Sequence, residues 1–125
     1  MSVITQPNDL ADLLRFEAES RYSRERTTLA AGHILSLGTV IATDTATGKI
    51  APLDPADTGS LNQASGVLIN DCDATVADNP DALVVVRHAI VLRDALIWPE
   101  AITAEQKATA IAQLRDLGVL VRDAV

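Results

Sequence analysis

The chain has 125 residues, 48% of them hydrophobic and only 2% aromatic, a length that suits one domain around one core built from small aliphatic side chains. Ten basic against seventeen acidic residues give a formal charge of −7, which argues against wrapping nucleic acid or coating an anionic membrane, since both require a net cationic surface. The single Cys72 cannot form an internal disulfide, so the fold does not rely on oxidation.

Residues 1–8 contain Pro7 and no periodicity, and then Leu10, Leu13 and Leu14 predict one or two helical turns. Residues 15–26 alternate charge densely. They hold Arg15, Arg21, Arg24 and Arg26 against Glu17, Glu19 and Glu25, a local net of +1 in an acidic chain. This break in composition divides the chain into an N-terminal arm, 1–26, and a domain, 27–125. No charged start followed by an apolar run resembles a signal peptide, and no apolar segment reaches membrane-spanning length, so a soluble, unexported protein is expected.

From Thr27 onward Gly32, Gly38, Gly48, Gly59 and Gly66 separate short apolar runs, the punctuation of strands and turns. Residues 39–43 and 49–53 flank Asp44-Thr45-Ala46-Thr47-Gly48 and predict a hairpin whose glycine supplies positive φ. Residues 54–63 read as a loop, 66–69 as a strand, and the Asp-rich stretch 70–81 as a second loop. The run 83–92, broken only by Arg87 and His88, reads as one strand with both faces covered, which requires a sheet that closes into a barrel or a subunit that covers it. It leads to Leu96-Ile97-Trp98-Pro99-Glu100, where the only tryptophan marks a strand-to-helix corner. Thr103 with Gln106 forms a capping box, and Gly118 stands where a left-handed C-cap is wanted. Between them Ala104, Ala108, Ile111 and Leu114 form an apolar stripe. Residues 119–122 are expected to be a closing strand.

Several groups imitate chemistry. Asp44-Thr45-Ala46 and Asp57-Thr58-Gly59-Ser60 look like the paired signatures of aspartic proteases, in which two carboxylates share a proton. They lie thirteen positions apart, the second follows Pro55-Ala56 rather than an apolar strand, and turns use the same residues. Asp71-Cys72-Asp73 with Asp78 and Asp81 fails the calcium-loop template, because Thr75 and Val76 occupy positions for a ligand and a glycine. Neither Ser36 nor Cys72 sits in a glycine-flanked nucleophile motif that would recruit His33 or His88. No catalytic residue, metal or cofactor is therefore expected. Arg87 within an apolar run needs a carboxylate or carbonyl partner, supplied within the chain or at a contact with another molecule.

The order Arg21-Tyr22-Ser23-Arg24-Glu25, Ala31-Gly32, Gly38-Thr39-Val40, Thr47-Gly48-Lys49, the valine run ending at Arg87, Leu96-Ile97-Trp98-Pro99, then helix and Gly118-Val119-Leu120-Val121-Arg122 resembles the lambda-type phage head decoration proteins over roughly residues 16–122. The resemblance implies a mainly β, α+β fold: a small β-barrel-like or β-tulip domain with one short C-terminal helix and a flexible N-terminal arm. It implies a non-enzymatic capsid cement, a homotrimer bound to the major capsid protein at three-fold sites on the outer surface of the expanded head, holding it against packaged-DNA pressure. Direct nucleic-acid or membrane contacts are not implied. Phe16, Arg21, Tyr22, Arg24 and Arg26 are then the candidate capsid-binding residues of the arm, and Arg87 and Trp98 candidates for trimer or capsid contact. A chain lacking residues 1–22 is expected to fold and trimerise without decorating heads. The rival readings are a trimeric β-rich scaffold or adaptor in another assembly and, as an enzyme, a protease of the aspartic type.

Overall fold

The barrel anticipated from the unbroken apolar run is present in the computed structural model, which describes residues 10–123. The element order is α1 (Leu10–Leu13), β1 (Leu14–Glu17), α2 (Ser20–Ser23), β2 (Arg24–Leu29), β3 (His33–Leu35), β4 (Val40–Thr43) and β5 (Ile50–Pro52). After these come β6 (Gly66–Leu68), β7 (Cys72–Ala74), β8 (Asn79–Val85), β9 (Ala89–Leu92), α3 (Ala104–Asp116) and β10 (Val119–Arg122). Five strands close a ring in the order β2-β5-β4-β6-β8, β1-β9-β10 form a separate three-stranded sheet, and β3-β7 form a two-stranded ribbon.

The ring explains why residues 82–86 lack polar alternation. Leu29, Ile50, Ile41, Leu68 and Val84, one from each ring strand, share a buried cluster with Cys72, Ala74 and Ala82. The alternate residues Val40, Ala42, Val67 and Val85 point the other way, into a second cluster with Leu13, Val91, Ala110, Leu114, Val119 and Val121. Successive strand side chains face opposite sides, so one set fills the ring and the other packs beneath α3 and the three-stranded sheet. Both faces of residues 82–85 are thus covered within one chain, whereas β9, the second half of the run, buries Ala89 and Val91 and leaves Ile90 and Leu92 partly exposed.

The hairpin at 44–48 forms as expected. The Asp44 N–H donates to the Lys49 carbonyl at 2.8 Å, the Gly48 N–H to the Asp44 carbonyl at 2.7 Å, and Gly48 takes φ +75. The helix boundaries also hold. The Thr103 hydroxyl accepts from the Gln106 N–H at 3.1 Å while Gln106 Oε1 accepts from the Thr103 N–H at 2.9 Å, and Gly118 closes the helix with φ +90.

Four expectations are corrected. The stretch 70–81 is not all loop, because β7 pairs with β3 through Ile34 opposite Asp73 and β8 begins at Asn79. The run 83–92 is two strands: His88 adopts φ +51, a left-handed conformation uncommon outside glycine and more accessible to His, Asn and Asp, and the chain bends there to pass from the ring strand β8 to β9 of the three-stranded sheet. Leu96-Ile97-Trp98 does not close a long strand, since β9 ends at Leu92 and a 3-10 turn follows. The corner is instead stitched to the start of β4, with the Ile97 N–H donating to the Gly38 carbonyl at 2.9 Å and the Val40 N–H to the Ile97 carbonyl at 3.2 Å. Finally, the buried face of α3 carries Ala110 and Leu114, while Ala104 and Ala108 are exposed. Gln113 is turned inward, its Oε1 accepting from the Ala64 N–H at 2.8 Å.

The boundary expected between residues 26 and 27 falls inside β2, which runs antiparallel to β8 with Arg24 opposite Val85 and Arg26 opposite Leu83. β1 pairs with β9, Phe16 opposite Ile90, and Leu13 is wholly buried. Residues 10–26 are therefore joined to the domain in this conformation, and residues 1–9 lie outside the described residues.

Candidate functional site

The N-terminal segment is fastened to the β8–β9 corner by a dense polar seam. Ser23 is wholly buried, its carbonyl accepting from the Val86 N–H at 2.9 Å and its hydroxyl donating to Glu17 Oε2 at 2.5 Å. The same carboxylate receives Arg24, whose Nε lies 2.9 and 3.0 Å from the two oxygens and whose Nη2 also donates to Oε1. Glu17 is 13% exposed and Arg24 25%, so the pair is only lightly screened. The Arg24 guanidinium holds the Glu17 carboxyl below its ordinary value of 4.5, against the opposing effect of burial and with help from the Ser23 hydroxyl.

Because the folded value is lowered, this group's contribution to stability is fully present above the unfolded value and is lost as pH falls through the folded one. Glu17→Gln is expected to cost about 1–2 kcal/mol near neutral pH, since it leaves a partly buried guanidinium without its carboxylate. The gap between wild type and variant should close as thermal melts are taken below pH 4.5.

Arg87 finds both kinds of partner anticipated for it. Its Nη1 donates to the Tyr22 carbonyl and its Nη2 to Glu25 Oε1 at 2.7 Å, and its guanidinium carbon lies 5.4 Å from the Tyr22 ring centre. His88 meets the Tyr22 ring edge-on with centroids 4.9 Å apart, and the His88 carbonyl accepts from the Ala18 N–H at 2.9 Å. The turn α2 is thus gripped between Arg87 and His88.

The structure brings some candidate residues together and separates others. Tyr22, Arg24 and Arg87 belong to the seam; Arg21 and Arg26 stand at its margin with exposed ion pairs to Glu19 at 3.8 Å and Asp81 at 3.0 Å. Phe16 is 57% exposed on the three-stranded sheet. Trp98 belongs to another corner, where it lines a groove of about 210 Å³ with Ile34, Ile97 and Pro52. Sequence reasoning missed the neighbours of Phe16, namely Arg15, Ile90, Leu92, Leu120 and Arg122, because an all-apolar β9 gives no alternation to mark which side faces out.

The imitations of chemistry resolve into turn geometry. Asp44 Oδ1 accepts from the Ala46 N–H at 2.9 Å and Asp57 Oδ2 from the Gly59 N–H at 2.9 Å, each carboxylate closing its own turn. In the acidic stretch, Asp71 binds the Leu37 N–H, Asp73 the Thr75 N–H and hydroxyl, and Asp78 the Ala31 N–H and Lys49. These carboxylates are dispersed over separate partners, and among the described residues no group of three His, Cys, Asp or Glu side chains is placed to hold a metal. Burial raises the Cys72 thiol above its ordinary value, with Asp81 and Asp73 adding to the effect, which suits a core side chain better than a nucleophile. No helix among the described residues is long and apolar enough to cross a membrane.

A small β-ring domain whose polar groups serve turns and a backbone seam, with aromatic and cationic side chains presented outward, defines a protein that works by surface contact. A sequence model described as bacteriophage lambda head decoration protein D matches residues 3–119, so the chain belongs to that family of structural, non-enzymatic proteins, which sit on the phage capsid surface. No curated protein matches the chain.

Proposed function

We propose that the protein binds as a homotrimer at three-fold sites of the expanded phage head, contacts the major capsid protein, and holds neighbouring capsomers together against the pressure of packaged DNA. Residues 1–26 act as the capsid-binding arm, residues 10–26 of it docked on the domain through β1 and β2, with Phe16, Arg21, Tyr22, Arg24 and Arg26 as its contact-forming or contact-positioning side chains, and residues 27–125 supply the rest of the decoration domain. Arg24 positions the arm through Glu17, and Arg87 does so through Tyr22 and Glu25.

The observation that carries this reading is the placement of aromatics. The chain has one Phe, one Tyr and one Trp, and it leaves Phe16 57% and Tyr22 45% exposed within the cationic segment 15–26. Aromatic and arginine side chains dominate the energetics of protein contacts, and an acidic protein that concentrates them on one segment is equipped to adhere there. Three such segments on one trimer act through effective concentration, so each contact can be weak while the assembly holds. Ordering of any arm residue on the shell costs about 1–2 kcal/mol of backbone entropy, offset by main-chain pairing and side-chain burial at the contact.

Native mass measurement on the purified chain at micromolar concentration tests the trimer directly. The expected result is a dominant species of three chains; a protein that remains monomeric or dimeric contradicts the threefold part of the proposal.

A further inference from the structure

The three-stranded sheet has one face in the core and one in solvent, and the solvent face has a definite chemistry. On the inner side Ala89, Val91, Val119 and Val121 are each at most 5% exposed. Strand alternation sends their neighbours outward, and the register aligns Phe16 with Ile90 and Ile90 with Leu120, then Leu92 with Arg122. An apolar row thus crosses all three strands. Arg15, at the irregularity in β1, joins Ile90, Leu92, Arg122 and Asp123 around a groove of about 460 Å³.

The rim is cationic. Arg21, Arg24, Arg26, Arg87 and Arg93 each have a carboxylate partner within 4 Å. Arg15 and Arg122, both exposed, have none among the described residues; Arg122 Nη1 donates to the adjacent Val121 carbonyl at 3.2 Å. Asp123, on the same groove, is ion-paired with Arg93 at 2.8 Å. Two arginines with no carboxylate partner among the described residues, beside an apolar row on a chain of charge −7, form a surface complementary to an apolar segment edged with carboxylates.

The course of the chain selects the occupant. The described chain begins in α1 and β1 and ends just after β10, so both of its ends adjoin the strands that frame this face. It is therefore continuous with the contact proposed for the arm. We propose that the outer face of β1-β9-β10 seats a segment of the capsid shell presenting apolar side chains between carboxylates, with Phe16, Ile90 and Leu120 as the seat and Arg15 and Arg122 as its charged rim. The proposal rests on the shell-binding reading and extends it to a surface on the folded domain, beyond the arm.

The test uses the full chain and expanded heads that lack decoration protein, with co-sedimentation at low and high salt, native mass and thermal melting as readouts. The double variant Arg15→Glu, Arg122→Glu is expected to bind about a hundredfold more weakly than wild type at low salt, with the difference shrinking at high salt as the rim charges are screened. Its mass and melting temperature should match wild type. Phe16→Ser, at an exposed position, should also weaken binding, and that loss should persist at high salt. Wild-type affinity in the double variant overturns the proposal, as does a double variant that loses self-association, which would assign the face to a second copy. If wild type itself fails to sediment with heads, the shell-binding reading falls and this proposal with it; if wild type binds and the double variant binds equally, the proposal falls alone.

Discussion

Removal of residues 1–9 is expected to give a chain that folds and melts like wild type but has lost most of its affinity for expanded heads, whereas removal of residues 1–22 is expected to damage the fold itself. The longer deletion takes away Leu13, which is wholly buried in the larger core cluster. It also takes away β1 with its ladder to β9, and Glu17, which anchors Ser23 and Arg24. Loss of a buried leucine alone costs about 2–5 kcal/mol, enough to lower the melting temperature of a domain this size by about 10 °C or more. The composition break before Thr27 suggested that residues 1–22 could be cut without loss of folding. The burial of Leu13 and the β1 ladder instead argue that a cut sparing the fold must fall before Leu10. Thermal melts of the two truncations side by side check this: equal melting temperatures would contradict the integration of β1 into the core.

The second large effect is expected at Gly118. This residue ends α3, takes φ +90, and its carbonyl accepts from the Ala89 N–H at 3.1 Å, so it sets how the helix hands over to the parallel pairing of β9 with β10. A Cβ here would lie 2.6 Å from His88 Cδ2 and 3.1 Å from the His88 backbone nitrogen. Gly32 offers an internal control, since it has φ +98 with nothing within 4 Å of the corresponding position. Gly32→Ala should therefore show conformational strain alone, about 1–2 kcal/mol. Gly118→Ala should show that strain plus the cost of displacing His88 from Tyr22, about 2–5 kcal/mol together. Chemical denaturation of both variants measures the difference, and equal losses would mean that the His88 contact is inconsequential.

Local signals were the legible part of this fold. The capping box at Thr103 and Gln106, the positive-φ glycine at 118 and the hairpin glycine at 48 each follow from interactions within a few residues, and each is where the sequence places it. The apolar run 83–92 announced burial on both faces; a closed ring supplies that burial for its β8 half, while β9 keeps Ile90 and Leu92 on an outer face. What stayed hidden depends on partners distant in sequence. β7 is a strand because β3 pairs with it across nearly forty residues, although its own composition is that of a loop. The bend at His88 lacks glycine and proline, being held by Arg87 and by the contacts of residues 18 and 22. In α3 the small side chains of Ala104, Ala108 and Ala110 left the direction of the apolar stripe nearly undetermined, and packing of Leu114 decided it.

The same division applies to the surface. The arginines and aromatics of residues 15–26 stand out by composition alone, so the arm was visible as a candidate. The outer face of the three-stranded sheet was not, because Ala89-Ile90-Val91-Leu92 reads as uniformly apolar until the pairing with β1 and β10 shows that alternate residues lie on the solvent side.

The central claim is threefold adhesion to a phage head, and imaging tests it most directly. Expanded heads stripped of decoration protein should be incubated with the full chain and reconstructed. The account predicts added density of three copies at the three-fold positions, with the β1 side of each domain against the shell; heads that remain bare there, or that carry the protein singly at unrelated sites, would contradict it.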